Sequence, residues 1–223
     1  MRALIFDVFG TCVDWRTSIQ RLGARFGLPE EFADDWRAQY QPQLETVRSG
    51  RRPWVNLDVL HRIGLDIVLA DYEIDLPGRF RETLVKGWHQ LDPWPDTVSG
   101  LTMLKAEKII APCSNGHIAQ SVNLARYAKL PWDAILGAEI ARAYKPDPSV
   151  YLQSAYALGL EPFEVCMVAA HNSDLQAAQA LGFMTAFVAR PTEHGPEQAT
   201  DLEPEGDYHF TAANFVELAQ QRL

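Results

Sequence analysis

The fold is decided near the start of the chain by the stretch Ala3-Leu4-Ile5-Phe6-Asp7-Val8-Phe9-Gly10-Thr11. A short apolar run that ends in a glycine turn predicts a buried strand of a parallel sheet. Asp7 follows this strand directly, and ligands bind at the carboxyl edge of open α/β sheets. Gly10 lets the backbone turn back toward Asp7, and Thr11 offers a hydroxyl within reach. An aspartate after a strand is also common as a helix N-cap, so Asp7 taken alone does not distinguish a functional carboxylate from a capping residue.

The rest of the chain predicts one α/β domain that carries a helical insertion. Apolar residues at spacings of three and four predict helices over residues 14–26, 29–47, 54–69 and 76–88. From Pro95 onward, strands alternate with helices, which predicts a doubly wound parallel sheet. The later strands are predicted over residues 108–113, 134–136, 165–169, 185–188 and 208–210, and the later helices over residues 97–106, 117–128, 148–158, 175–181 and 215–221. We predict a Rossmann-like core domain (1–13 and 92–223) and a helical cap domain (14–91) above its carboxyl edge.

Composition limits the partners of the protein. The 223 residues carry a net charge of −9, which argues against nucleic acid and anionic membranes but not against a small anionic substrate. The three cysteines are far apart and form no CxxC pair, which predicts reduced thiols in a cytoplasmic protein rather than disulfides or a zinc site. No apolar run reaches membrane-spanning length, and Asp7 interrupts any signal peptide.

Polar side chains follow three strands of the predicted sheet, and a lysine lies between two of them in sequence. These residues are Asp7, Ser114, Asn115, Lys145, His171, Asn172 and Asp174. A lone lysine in a loop is usually solvated. Between two strands that end in candidate carboxylates, Lys145 is instead expected to be their counterion.

This ordered set resembles the haloacid dehalogenase superfamily, and the resemblance covers essentially the whole chain. The superfamily pattern of an aspartate nucleophile, a Ser or Thr, a lysine and an acidic group falls on Asp7, Ser114, Lys145 and Asp174. The four pieces in this order form a strong signal, whereas any single piece is weak.

Two motif differences separate this chain from the phosphatases of the superfamily. Those enzymes carry a second aspartate two residues after the nucleophile, which protonates the leaving alkoxide. Here that position is Phe9, and the Gly-Asp that helps them hold magnesium is replaced by Ala169-Ala170. Because a halide leaves without a proton or a metal, the missing groups point to cleavage of a carbon–halogen bond.

The finer resemblance is to the 2-haloacid dehalogenase (type II) branch. The matching segments are Asp7-Val8-Phe9-Gly10-Thr11, Trp36-Arg37, Ser114-Asn115-Gly116 and Lys145-Pro146-Asp147 with Tyr151 after it. One segment departs: where the family often has Ser-Ser-Asn before its last aspartate, this chain has Ala169-Ala170-His171-Asn172-Ser173-Asp174. His171 falls at the family's Asn position, which bears on how the hydrolytic water is held.

The resemblance implies an enzyme that converts a short 2-haloacid to the 2-hydroxy acid through an aspartyl ester, without cofactor or metal. Asp7 attacks C2, and Arg37 stabilises the departing halide. Lys145 keeps Asp7 ionised, Asp174 orients Lys145, and water is activated near Asp174 or His171. The residues expected to contact substrate are Phe9, Thr11, Arg37, Ser114, Asn115, Tyr151 and Asn172. The family also suggests a homodimer formed through the cap.

Other interpretations stay open at this point. A small-molecule phosphatase of the same fold and a non-catalytic binding protein that kept the fold are the alternatives. Arg37 could be a solvated charge and His171 a satisfied polar residue beside the sheet. The remaining aromatic and histidine side chains predicted to be structural are Trp54, Trp88, Trp94, His61, His89, His194 and His209.

Overall fold

The first apolar run forms a fully buried strand at the centre of a parallel sheet. The structure is a computed structural model that describes residues 1–222. In chain order its strands are β1 (Ala3–Phe6), β2 (Val13–Asp14), β3 (Asp92–Pro93), β4 (Ile109–Ser114), β5 (Leu136–Gly137), β6 (Val165–Ala169), β7 (Met184–Val188) and β8 (Phe210–Ala212). Its α-helices are α1 (Trp15–Ala24), α2 (Phe32–Ala38), α3 (Tyr40–Arg48), α4 (Leu57–Asp71), α5 (Gly78–Gly87), α6 (Thr97–Lys105), α7 (Ile118–Ala128), α8 (Ala138–Ala141), α9 (Pro148–Ala157), α10 (Asn172–Gln179) and α11 (Phe215–Gln220).

The main sheet confirms the predicted doubly wound fold. Its six strands run in the order β5-β4-β1-β6-β7-β8, and every neighbouring pair is parallel. The chain leaves β1 toward β4 on one side and later returns to β6 on the other. The carboxyl ends of these three strands therefore border one crevice, where a strand order of this kind places a ligand site.

Residues 14–91, which we call the helical block, contain α1 to α5 and connect to the sheet through β2 and β3. These two short strands pair antiparallel, with Val13 opposite Pro93. Trp15, Trp36 and Trp88 of the block belong to the same hydrophobic cluster as Phe6 of β1. Burying such large aromatic side chains holds the block against the sheet. Within residues 1–222, no helix has the length and apolarity needed to cross a bilayer.

Several predicted boundaries differ from the observed elements. The single helix predicted over residues 29–47 is two helices that meet at Gln39. Pro42 explains the break, because it has no N–H to donate to the carbonyl of Ala38. The helix predicted from Trp54 starts only at Leu57, where the side chain of Asn56 caps it.

Smaller elements also shift or were not predicted. The helix predicted over residues 175–181 is α10, three residues earlier at its start. The last strand, predicted over residues 208–210, is β8. The β2–β3 pair and the four-residue helix α8 had no sequence signal, because elements this short depend on contacts made elsewhere in the chain.

Candidate active site

Asp7 lies at the carboxyl end of β1, among groups that keep its side chain ionised. Its carboxylate accepts a hydrogen bond from the Thr11 hydroxyl at 2.8 Å, and Lys145 Nζ lies 3.5 Å from its other oxygen. His171 Nδ1 is 3.3 Å from the oxygen that Thr11 contacts. Burial by itself raises the pKa of Asp7, but Lys145, His171 and Thr11 outweigh it and hold that pKa well below its ordinary value. Asp7 is therefore a carboxylate in a partly dry site.

Lys145 joins Asp7 to a second buried acid. Its ammonium lies 2.6 Å from Asp174, and Tyr151 donates a hydrogen bond of 2.5 Å to the other Asp174 oxygen. Burial lowers the pKa of Lys145, but the two acids more than compensate and hold it above its ordinary value. Burial and the nearby Asp7 raise the pKa of Asp174. Lys145 is thus a fixed cation between Asp7 and Asp174.

His171 bridges Asp7 and a third acid, Glu193. Its Nε2 lies 2.8 Å from Glu193, whose other oxygen accepts a hydrogen bond of 2.9 Å from Trp15 Nε1. The Glu193 side chain is only 2% exposed. Burial lowers the pKa of His171, but Glu193 and Asp7 raise it well above 6.5, so the ring is an imidazolium when both acids are ionised. Burial raises the pKa of Glu193, and His171 pulls it below its ordinary value.

Gly10 and Arg190 explain how Glu193 comes to lie beside His171. Gly10 has a φ of +88°, and a β-carbon there would overlap the Glu193 carboxylate. Arg190 donates a hydrogen bond of 2.8 Å to the carbonyl of Thr11 and forms a two-point ion pair with Asp96. The loop after β7 is therefore anchored on the turn after β1.

Arg37 provides a cation from the helical block. Its guanidinium carbon lies 4.1 Å from the ring centre of Tyr40 and 5.2 Å from that of Trp15. Its Nη1 is buried and has no hydrogen-bond partner within residues 1–222. A buried N–H without an acceptor costs free energy, so an anion bound next to Arg37 would be stabilised.

The site encloses a cavity of about 710 Å³. The predicted site residues that line it are Asp7, Phe9, Arg37, Asn115, Lys145, Tyr151, His171 and Asp174. Phe9 is buried and packs edge-on against Trp88, with 6.0 Å between the ring centres. It adds an apolar surface beside Asp7 and has no proton to donate.

Three predicted contact residues lie outside the cavity lining. Thr11 is fully buried, donates to Asp7 and accepts a hydrogen bond of 3.0 Å from the backbone of Ala170. The Ser114 hydroxyl accepts from the backbone N–H of Gly116. The Asn172 side chain is bonded to the loop at Asp201 instead. Their side chains hold loops in place, and none of the three faces the cavity.

Asn115 lines the cavity with its side chain already engaged at both ends. Its Nδ2 donates to the Tyr40 hydroxyl at 2.9 Å, and its Oδ1 accepts from the backbone N–H of Lys145 at 2.8 Å. One Nδ2 hydrogen remains for a ligand. Asn115 therefore connects the helical block, the sheet edge and the Lys145 loop.

Sequence reasoning missed Glu193, Trp15 and Tyr40. Glu193 belongs to Arg190-Pro191-Thr192-Glu193, directly after an apolar strand. The position of an acid at a carboxyl strand end was a usable signal, the same one that identified Asp7. Trp15 and Tyr40 carried no such signal, because aromatic residues at helical spacing normally indicate packing.

Comparison with known proteins identifies the family of this chain. A family model for haloacid dehalogenase-like hydrolases matches residues 1–182. The chain belongs to the haloacid dehalogenase-like hydrolases. Among solved structures, this family member is similar to the defluorinating L-2-haloacid dehalogenase Rha0230, with 48% identity, a TM-score of 0.95 and coverage of 98% of this chain and 94% of that one. It is also similar to the L-2-haloacid dehalogenase PA0810, with 46% identity, a TM-score of 0.96 and 99% coverage of both chains.

Curated relatives of this haloacid dehalogenase-like hydrolase are consistent with those structures. The (S)-2-haloacid dehalogenase 4A of Burkholderia cepacia is 28% identical over 217 residues, which cover 92% of this chain and 94% of the relative. In such a hydrolase, an ionised carboxylate beside a fixed cation is equipped for nucleophilic attack.

Proposed function

We propose that the protein is a hydrolytic 2-haloacid dehalogenase that forms an ester on Asp7. One observation carries this proposal: the Asp7 carboxylate is held ionised in a cavity that Arg37 also lines, and the buried Nη1 of Arg37 has no hydrogen-bond partner within residues 1–222. A nucleophile and an anion site in one cavity fit a substitution that releases an anion. The relatives described as L- or (S)-2-haloacid dehalogenases support an (S)-2-haloacid as the substrate.

In the first step, Asp7 attacks C2 of the haloacid and the carbon–halogen bond breaks. Arg37 receives the halide, and the aromatic rings of Trp15 and Tyr40 provide a polarizable surface around it. Asn115 offers its remaining N–H to the substrate carboxylate. Because Asp7 becomes a neutral ester, this step removes one of the two carboxylates that hold the proton on His171.

In the second step, water hydrolyses the ester. His171 loses its proton to solvent once Asp7 is neutral, while Glu193 keeps the remaining hydrogen on Nε2. Nδ1, which faces Asp7, is then free to take a proton from water as that water attacks the Asp7 side-chain carbonyl carbon. The ester bond breaks, the hydroxy acid takes the proton from Nδ1, and Asp7 returns its own acid proton to His171.

The phosphatase alternative receives no support from the site. Phe9 occupies the position where a phosphatase of this superfamily needs its proton donor. Ala170 stands where a metal-binding carboxylate would be, and Asp174 is engaged by Lys145 and Tyr151. We propose that catalysis needs no metal, so chelator treatment should leave the rate of halide release within about twofold.

Three further features belong to the proposal. The helical block acts as a cap over the sheet edge, because Arg37, Trp15 and Tyr40 line the cavity from it. The protein works in the cytoplasm, because its three cysteines are buried and form no disulfide, as is usual in a reducing compartment. It works there as a homodimer. Sedimentation of the purified chain as a monomer would contradict the dimer.

A substrate panel tests the reaction. Purified protein is assayed for halide release from both enantiomers of 2-chloropropionate and from chloroacetate and fluoroacetate, and for phosphate release from phosphate esters. We expect halide release with a preference for the (S)-enantiomer. Fluoroacetate is included because one relative is described as defluorinating. Phosphate release without halide release would overturn the proposal.

Isotope labelling tests the ester. In a single turnover in ¹⁸O-water with enzyme in excess, the label should enter the peptide that contains Asp7 and stay nearly absent from the hydroxy acid. Asp7→Asn should abolish turnover, because a neutral amide is a poor nucleophile. Label that appears directly in the product would make water the attacking group and Asp7 at most a general base.

A further inference from the structure

A second cluster of polar side chains lies outside the cavity, where the helical block meets the sheet domain. It consists of Asp58 on α4, His89 two residues after α5, and His117 directly before α7. One ligand atom from each residue can be chosen so that all three lie within 4.8 Å of one another. Asp58 is 2.8 Å from His89 Nε2 and 3.8 Å from His117 Nε2. None of the three residues lines the cavity that contains Asp7.

His117 is the residue that points to a ligand. Its side chain is 6% exposed, and its Nδ1 has no hydrogen-bond partner within residues 1–222. Its Nε2 faces Asp58 from a distance too long for a hydrogen bond. Because Nε2 of this buried ring makes no hydrogen bond, it is available to an ion that lies between it and Asp58.

The surroundings of His117 and Asp58 set the charge of these two side chains. Burial keeps the pKa of His117 below its ordinary value, so the ring is neutral at pH 7. Burial raises the pKa of Asp58, but His89 and Lys86 have a larger effect in the opposite direction and hold it below its ordinary value, so the side chain is a carboxylate. His117 and Asp58 thus supply a neutral imidazole and a carboxylate, and a metal on His89 Nε2 shifts the hydrogen that Nε2 donates to Asp58 onto Nδ1.

We propose that Asp58, His89 and His117 form a binding site for Zn²⁺. Two imidazole nitrogens and one carboxylate leave a fourth position for water, a set that suits zinc rather than magnesium or calcium. Ligand atoms of a tetrahedral zinc at ~2.1 Å are about 3.4 Å apart, so small side-chain movements complete the site. Asn123 Nδ2 lies 3.0 Å from His89 Nδ1 and can fix the orientation of that ring after an amide flip.

Lys86 occupies the Asp58 carboxylate when no metal is bound. Its ammonium lies 2.6 Å from Asp58 Oδ2, and its side chain is 59% exposed. An exposed lysine can leave such a pair at low cost, because its long stem is free to move into solvent. The structure therefore predicts competition: removing the Lys86 charge should strengthen zinc binding.

Zinc at this place would connect the helical block to the sheet edge. Asp58 and His89 lie in the block, whereas His117 follows the loop Ser114-Asn115-Gly116, whose Asn115 lines the cavity. A bound ion that prefers the folded state raises its stability. The site does not depend on the proposed reaction, and its test does not use activity.

The experiment measures metal binding to the purified full chain after removal of metals with a chelator. Isothermal titration with Zn²⁺ should show one site per chain, and Co²⁺ should produce the visible absorption of a tetrahedral site. Zn²⁺ should raise the melting temperature, and Mg²⁺ should not. Mutating a residue that only orients a metal ligand typically lowers metal affinity by about 10–100-fold. Removing a ligand itself should lower it more, so we expect His117→Ala and Asp58→Asn to bind Zn²⁺ at least about 100-fold more weakly than the wild type.

Two variants act as controls. Lys86→Met should bind zinc severalfold more tightly than the wild type, which a merely damaged protein would not do. His209→Gln changes an exposed histidine outside the cluster and should bind zinc unchanged. Absence of stoichiometric zinc binding in the wild type would overturn the proposal. Equal affinity of His117→Ala and wild type, or an equal response to Mg²⁺, would overturn it as well.

Discussion

Replacing Glu193 with glutamine should separate the two steps of the proposed reaction. The new side chain has nearly the same shape, and its Oε1 can still accept from Trp15 Nε1. Its amide, however, would donate a hydrogen bond to His171 Nε2, where the carboxylate accepted one. The ring hydrogen would then reside on Nδ1. In that tautomer Nδ1 still donates to Asp7 in the free enzyme but cannot take a proton from water after the ester has formed.

The structure sets the size of the effect. Glu193 and His171 are in contact at 2.8 Å, and their side chains are 2% and 20% exposed, so solvent screening is weak. Two unit charges about 4 Å apart interact by about 4 kcal/mol at an effective dielectric constant of ~20, which equals a roughly 1000-fold change in the proton affinity of His171. Loss of a general base typically costs ~10²–10⁴-fold. We expect ester hydrolysis in Glu193→Gln to slow by about 10²–10³-fold and ester formation by less than about tenfold.

Rapid-quench kinetics can resolve these steps. With excess haloacid, Glu193→Gln should release a burst of halide equal to the enzyme concentration, followed by slow turnover. Mass spectrometry should find the ester on the peptide that contains Asp7. Glu197→Gln is the matched control, since Glu197 is an exposed acid in the same loop. Wild-type turnover in Glu193→Gln, or an initial halide release slowed as much as the later turnover, would refute the role of Glu193 in hydrolysis.

Three other predictions address Arg37, Gly10 and the charge of Glu193. Arg37→Ala should lower the rate of halide release by about 10²–10³-fold with an unchanged circular dichroism spectrum, because it removes the unpaired donor next to the departing anion. Substitution of an exposed arginine, Arg25→Ala, is the control. Near wild-type turnover in Arg37→Ala would make Arg37 a surface charge. Gly10→Ala should lower the free energy of unfolding, measured in urea, by about 1–3 kcal/mol more than Gly27→Ala does. Both glycines have a positive φ, but only Gly10 is pressed against Glu193. Equal losses of stability in the two variants would contradict this packing. The folded-state pKa of Glu193 lies below its ordinary value of 4.5, so the stability that its ionised form contributes is present above pH 4.5 and is lost as pH falls through the folded-state pKa. The stability difference between wild type and Glu193→Gln should therefore shrink between pH 6 and pH 3, and a difference that stayed constant would argue against the ion pair with His171.

The sequence alone was sufficient for the sheet and for the position of Asp7. The run from Ala3 to Phe6 can hardly be anything but a buried strand, and a strand end is defined by residues next to each other in the chain. Lys145 and Asp174 were found in the same way, from their places beside predicted strands. The helix boundary at Gln39 was in principle readable too, because Pro42 acts on a carbonyl only four residues away. Such features depend on short-range sterics and periodicity, which a sequence displays directly.

The two histidine sites were decided only by the tertiary structure. His171 was visible as a departure from a motif, but its pairing with Glu193 depends on a loop anchored by Arg190 and on the missing side chain of Gly10. His89 was expected to be structural, and it lies beside Asp58 and His117 only because α4 and α5 pack next to the start of α7. Residues about 30 positions apart have no local signal that they will meet. Long-range packing of the helical block on the sheet brings these groups together, and burial among them then changes their charge states.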